Sequence, residues 1–141
     1  MKRLLISAAA CAALALTVTS CSDDESPKDE ATQAASELCS DLSELKADNA
    51  KLKALDASAT KEQFQDAYND VVDDWDDVSE HLNELDSAKK DAVQGAADDL
   101  KQAYGDLPGD TTGAQGVAKL KPQIEKLDET VAAASTGLKC P

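Results

Sequence analysis

Arginine occurs once, as Arg3, and histidine once, as His81. Aromatic residues are only Phe64, Tyr68, Trp75 and Tyr104, or 3% of the 141 residues. With one histidine, an acid–base pair would have to be built from carboxylates. The chain holds no nucleophile elbow, glycine-rich phosphate loop, CxxC pair or HExxH motif. We therefore expect neither an enzyme nor a cofactor. Positive charge is also scarce, with 14 basic residues against 28 acidic ones and a net charge of −14. Such a surface repels nucleic acid and anionic headgroups, which argues against a polyanionic partner. Few aromatics and many alanines predict a thin core with close helix axes and almost no pocket. The length suits one domain.

What is present is dominated by one stretch. Phe64, Tyr68, Val71, Trp75, Val78, Leu82 and Leu85 recur at steps of four and three, one stripe on one side of an α-helix. Between them run Asp66, Asp70, Asp73, Asp74, Asp76, Asp77, Glu80 and Glu84, which face water. A helix so polar on its back must bury its front against other helices. Trp75, in mid-stripe, reads as core rather than as an exposed anchor.

Residues 1–20 have a different character. Met1-Lys2-Arg3 is cationic, and Leu4 to Val18 is apolar apart from Ser7 and Thr17, the two regions of an export signal. This run is shorter than the ~20 residues of a permanent membrane span. Val18-Thr19-Ser20-Cys21 follows. It resembles the lipobox of bacterial lipoproteins, with Val18 in place of the usual leucine. The resemblance implies cleavage before Cys21, whose sulfur carries a diacylglycerol. Two C16 chains bury roughly 28 methylenes, or some 20 kcal/mol, which makes such an anchor permanent. Cleavage leaves 12 lysines, 28 acids and a net charge of −16. Residues 21–30 read as an acidic tether, and the helical domain as 31–141. Ser26 and Pro27 also fit an N-cap followed by proline at the first helical position, which would start the helix earlier.

The first helix shows Ala31, Ala35, Leu38, Leu42, Leu45, Asn49 and Leu52 on one stripe. A partly buried asparagine at Asn49 fixes helix register at a cost in stability; we place it instead at a rim touching water. Thr60 with Gln63 and Thr112 with Gln115 match capping boxes. After Leu85 the stripe would bury Lys89, so a turn is expected at Asp86-Ser87, with Ser87 as N-cap. A new stripe follows at Val93, Ala96, Leu100, Ala103 (or Tyr104) and Leu107. Gly105 to Asp110 is a loop. The last stripe is Val117, Leu120, Ile124, Leu127, Val131, Ala134 and Leu138, with Pro122 inside it as a kink or a late start. Gly137 suits the position that ends the helix.

Cys39 and Cys140 remain after cleavage, in an exported protein where disulfides form. In an up-down-up-down bundle the first helix starts, and the fourth ends, at one pole. An unbroken helix over 60–104 would leave the two thiols at opposite poles. The expected fold is thus an all-α, antiparallel, up-down-up-down four-helix bundle closed by one disulfide.

For a site, Asp77, His81 and Glu84 stand at i, i+4 and i+7, a spacing that would suit Zn²⁺ given a fourth ligand. No second histidine or thiolate is offered, so an exposed histidine among carboxylates is the reading adopted, with no metal. Asp70, Asp73, Asp77, Glu80 and Glu84 form an acidic row. It reads as a solvated face, against weak cation binding or docking of a basic partner. In lipobox, acidic Ala/Asp/Thr-rich composition and cysteine pair, the chain resembles small lipoproteins exported by high-GC Gram-positive bacteria. The match is specific over 1–21 and compositional beyond, and it implies no activity. The expectation is a non-catalytic interaction or accessory module, lipid-anchored through Cys21 on the extracytoplasmic face of the membrane. The alternative is a solute- or cation-binding lipoprotein that uses its surface carboxylates. So large a charge opposes compaction, and moderate salt screens it. The urea unfolding midpoint should therefore rise as NaCl goes from low to moderate concentration.

Overall fold

A computed structural model describes residues 27–141, with side chains from Thr32 onward. Residues 1–26, which hold the expected export signal, Cys21 and the first part of the expected tether, lie outside the described residues. Four helices account for most of the rest: α1 (Pro27–Ala54), α2 (Lys61–His81), α3 (Ser87–Gly105) and α4 (Gly113–Leu138). No strand occurs among the described residues, and no helix among them is long and apolar enough to cross a membrane.

Each helix forms where local chemistry permits it. Proline opens α1, where its missing N–H costs nothing; residues 27–30 are thus helical rather than tether. Both capping boxes are present. Thr60 and Gln63 exchange side-chain and backbone bonds at the start of α2, and Thr112 and Gln115 do so at α4. The break after α2 falls where expected, but its form differs. α2 ends at His81, a 3-10 turn spans Leu82–Glu84, and Asp86 rather than Ser87 caps α3, its carboxylate accepting from the Lys89 N–H at 3.0 Å. Pro122 sits inside a continuous α4. Gly137 does not end that helix. Lys139 takes the left-handed conformation (φ 61°, ψ 40°), and the N–H groups of Lys139 and Cys140 close back on Thr136 and Ser135.

Packing follows the stripes. All seven residues of the central stripe are buried, from Phe64 to Leu85, Trp75 among them. Leu38, Leu42, Leu45 and Leu52 of α1, Val93, Ala96 and Leu100 of α3, and Leu120, Ile124, Leu127, Val131 and Ala134 of α4 complete the core. Leucine fills this core. Only Ala96, Ala97 and Ala134 are buried alanines among the described residues, so the alanine-rich core expected from composition is not what forms. Alanines lie mostly on the flanks of the stripes, where helices meet water. Pockets do form, at the helix ends.

Side chains meet across the helices at several heights. Asp41 meets His81, Tyr68 stacks on Tyr104, Asp99 binds Lys126, and Asn49 bonds Ile124. The Cys39–Cys140 disulfide ties α1 to the chain just past α4. Its separation of 101 residues corresponds to about 4.7 kcal/mol in the chain-entropy account. Cys39 is twelve residues into α1, so the helix extends about 18 Å before the bridge. Asn49 is not at a rim. It is 1% exposed, and its amide donates to the Ile124 carbonyl at 3.0 Å, while its own oxygen has no partner. It fixes the height of α1 against α4.

Glycine permits the closest approach between helices. A Cβ on Gly116 would stand 2.5 Å from the Phe64 ring, and one on Gly113 would stand 2.3 Å from the Thr60 carbonyl oxygen. Phe64 is 3% exposed and has no room to yield. Gly95 in the middle of α3 faces open space. Gly116→Ala should therefore cost about 2 kcal/mol through overpacking. Gly95→Ala should add about 0.5 to 1 kcal/mol through helix propensity. Urea unfolding of both variants reads the opposite signs.

Candidate functional site

The charged lines of α1 and α2 take their places from the core. In α1, Glu37, Asp41, Glu44 and Asp48 each precede a buried residue, Leu38, Leu42, Leu45 and Asn49. In α2, Asp70, Asp74, Asp77 and His81 each precede Val71, Trp75, Val78 and Leu82. Burying the two stripes against each other sets the two charged lines along one seam. His81 holds the one cationic position in these two lines.

Its ring bridges the helices. Nδ1 lies 2.9 Å from Asp41 Oδ2, and Nε2 lies 3.5 Å from Glu37 Oε2. The bond to Asp41 raises the His81 pKa. Partial burial opposes this, and the charges of Asp41, Glu37 and Glu80 add to it. Asp77 and Glu84, which the sequence spacing aligned with His81, are not its partners. α2 ends at His81, so Glu84 falls in the 3-10 turn and the helical spacing that would align it is lost. Among the described residues no three His, Cys, Asp or Glu side chains are placed to hold a metal. The acidic row on α2 likewise ends at Glu80.

Farther along the seam, Asp74 carries the strain. Its Oδ2 is occluded from solvent and has no hydrogen-bond partner. Burial first, then the charges of Asp48, Glu44, Asp77 and Asp70, push its pKa up to about 6. Lys51 pairs with Asp48 one turn earlier and marks the end of the seam. Elsewhere the lysines are better matched. Lys126 meets Asp99 at 2.6 Å, Lys101 meets Asp76 at 3.4 Å, and Lys89 pairs with Asp86. Lys101 thus reaches one α2 acid, Asp76, and the other acids of α1 and α2 still leave negative charge in excess on that side.

Sequence reasoning found His81 and Asp77 but not their counterparts on α1. The signal was available: a titratable residue immediately before each core position of α1, and before Val71, Trp75 and Val78 of α2, in the same rhythm. Cys39 and Cys140, also singled out from sequence, are joined. Cys21 lies outside the described residues. Comparison of the chain with known protein families, with curated proteins and with solved structures gives no match.

The seam gives stability a definite dependence on pH. A free carboxyl titrates near 4, so folded Asp74 holds its proton over a range, from about 4 to about 6, in which the unfolded chain has lost it. The His81 contribution is complete below the ordinary histidine pKa and is lost as pH rises through its raised folded value. Both effects have the same sign, so stability should fall as pH rises from about 4 to about 6 through Asp74, and further as His81 loses its proton through its raised value. Asp74→Asn should remove the fall between about pH 4 and about pH 6 and add about 1 to 2 kcal/mol at pH 8, after allowance for screening by water. His81→Gln should remove the remainder. Urea unfolding across pH measures both.

Proposed function

We propose that the protein is a lipoprotein held through Cys21 on the extracytoplasmic face of a bacterial membrane, where it works as a non-catalytic interaction module for basic partners. The export signal and the lipobox-like Val18-Thr19-Ser20-Cys21 support the address. The observation that carries the function is the excess of negative charge on the side formed by α1 and α2. There the only histidine is engaged with Asp41 and Glu37, and beyond Lys61 α2 offers no lysine. A rigid surface of one sign attracts a partner of the other, speeds its encounter and excludes competitors of like charge. A disulfide-closed bundle holds that surface in a fixed shape.

Fatty-acid labelling in cells tests the address, and cross-linking with mass spectrometry tests the function. Wild type should take up label and Cys21→Ser should not; equal labelling overturns the anchor. Cross-links from residues 37–80 should lead to a protein rich in lysine or arginine at the contact, and they should weaken at high salt. Cross-links that scatter over all four helices overturn the module.

A further inference from the structure

We infer that the end of the bundle where α2 and α4 begin is a docking cavity for an apolar side chain carried on a basic peptide segment. The inference rests on the interaction-module reading above and names the chemistry of the partner.

The cavity has a volume of about 240 Å³, and its walls include Phe64, Tyr104, Leu107 and Pro108. Three of the four aromatic residues of the chain gather here. Tyr104 stacks on Tyr68 at a centroid distance of 3.6 Å and 4° between planes, and Phe64 lies 5.7 Å from Tyr104. Phe64 and Tyr68 are buried, whereas Tyr104 and Leu107 remain half-buried and line the opening. The walls are held in place before any partner arrives. The Thr60–Gln63 capping box orders the start of α2, and the Thr111 N–H donates to the Pro108 carbonyl at 2.9 Å.

Charge around the mouth selects the partner. Lys61, Gln65, Gly105 and Gly109 line the cavity, and each is followed directly by an exposed acid: Glu62, Asp66, Asp106 and Asp110. Lys61 is the single cation of the lining, and its ammonium donates to the Gly109 carbonyl at 2.6 Å. An apolar recess whose lining residues adjoin four exposed acids in sequence fits an aromatic or large aliphatic side chain flanked by lysine or arginine. It rejects the same side chain flanked by acids. The cavity also lies at the pole opposite Cys39 and the start of α1. A chain tethered by its N-terminus would therefore hold the cavity away from the membrane.

Gly105 and Gly109 allow a test that leaves the core untouched. A Cβ at either meets no atom within 4 Å, and neither has a left-handed backbone. Leucine at either position crowds the mouth from outside. The ¹⁵N-labelled full chain carrying Cys21→Ser is titrated with an amidated pentapeptide that has tryptophan between two pairs of lysines. Amide shifts should be confined to residues 61–65 and 104–111. Serine in place of tryptophan should weaken binding about tenfold or more. Glutamates in place of the lysines should abolish it, and Gly109→Leu and Gly105→Leu should each weaken it about tenfold. Equal binding of the serine peptide, shifts spread along α1 and α2, full affinity in both leucine variants, or no binding at all overturns the docking cavity. If cross-linking in cells still finds a basic partner on the α1–α2 side, the cavity alone falls and the module stands.

Discussion

Two helices that carry titratable residues immediately before the core positions of α1 and of the later turns of α2 cannot bury their apolar stripes without bringing those charges together. This constraint governs α1 and α2. The leucines of α1 and the Val71–Trp75–Val78 stripe of α2 supply the attraction, and seven carboxylates brought to the same seam oppose it. Apolar burial prevails because each fully buried leucine or valine contributes about 1.5 to 3 kcal/mol. Charges partly in water repel far more weakly. The residue of the conflict is visible at Asp74, whose occluded oxygen lacks a donor, and at His81, the one position where the conflict is relieved.

The disulfide and Asn49 act on the same helix from the other side. Cys39–Cys140 holds α1 to the end of α4, and Asn49 sets its height against Ile124. α1 thus meets an electrostatically costly partner on one side and a covalently closed one on the other. The left-handed turn at Lys139 brings Cys140 back from the end of α4 to reach Cys39. The glycines of α4 play a matching part at the far pole, where Gly113 and Gly116 let α4 lie against the first turn of α2. The aromatic cavity forms beside that contact because Phe64 fills the space that a side chain on residue 116 would take.

Much of the fold was legible because its signals are local. Four apolar stripes and two capping boxes are properties of short windows, and each appears in the structure where its residues put it; a break between α2 and α3 also appears, though it begins at His81, before Leu85. The cysteine pairing was legible for a different reason: the number of helices decides whether the two thiols share a pole. Boundaries were read less well. The helix start at Pro27, the cap at Asp86 and the turn at Lys139 lie between one and four residues from the positions expected. The i, i+4, i+7 alignment of Asp77, His81 and Glu84 assumed that α2 continued past His81, which it does not.

The sequence by itself determined that four amphipathic helices form and that a strongly acidic surface results, since periodicity and charge need no knowledge of neighbours. Tertiary structure decided where the polar exceptions went. Asn49 is buried because a carbonyl of α4, 75 residues away, lies opposite it. His81 faces α1 because Asp41, 40 residues earlier, stands across the seam. Hydrogen bonds and pKa shifts arise between groups that only packing brings within a few ångströms, and packing joins residues that no local pattern connects.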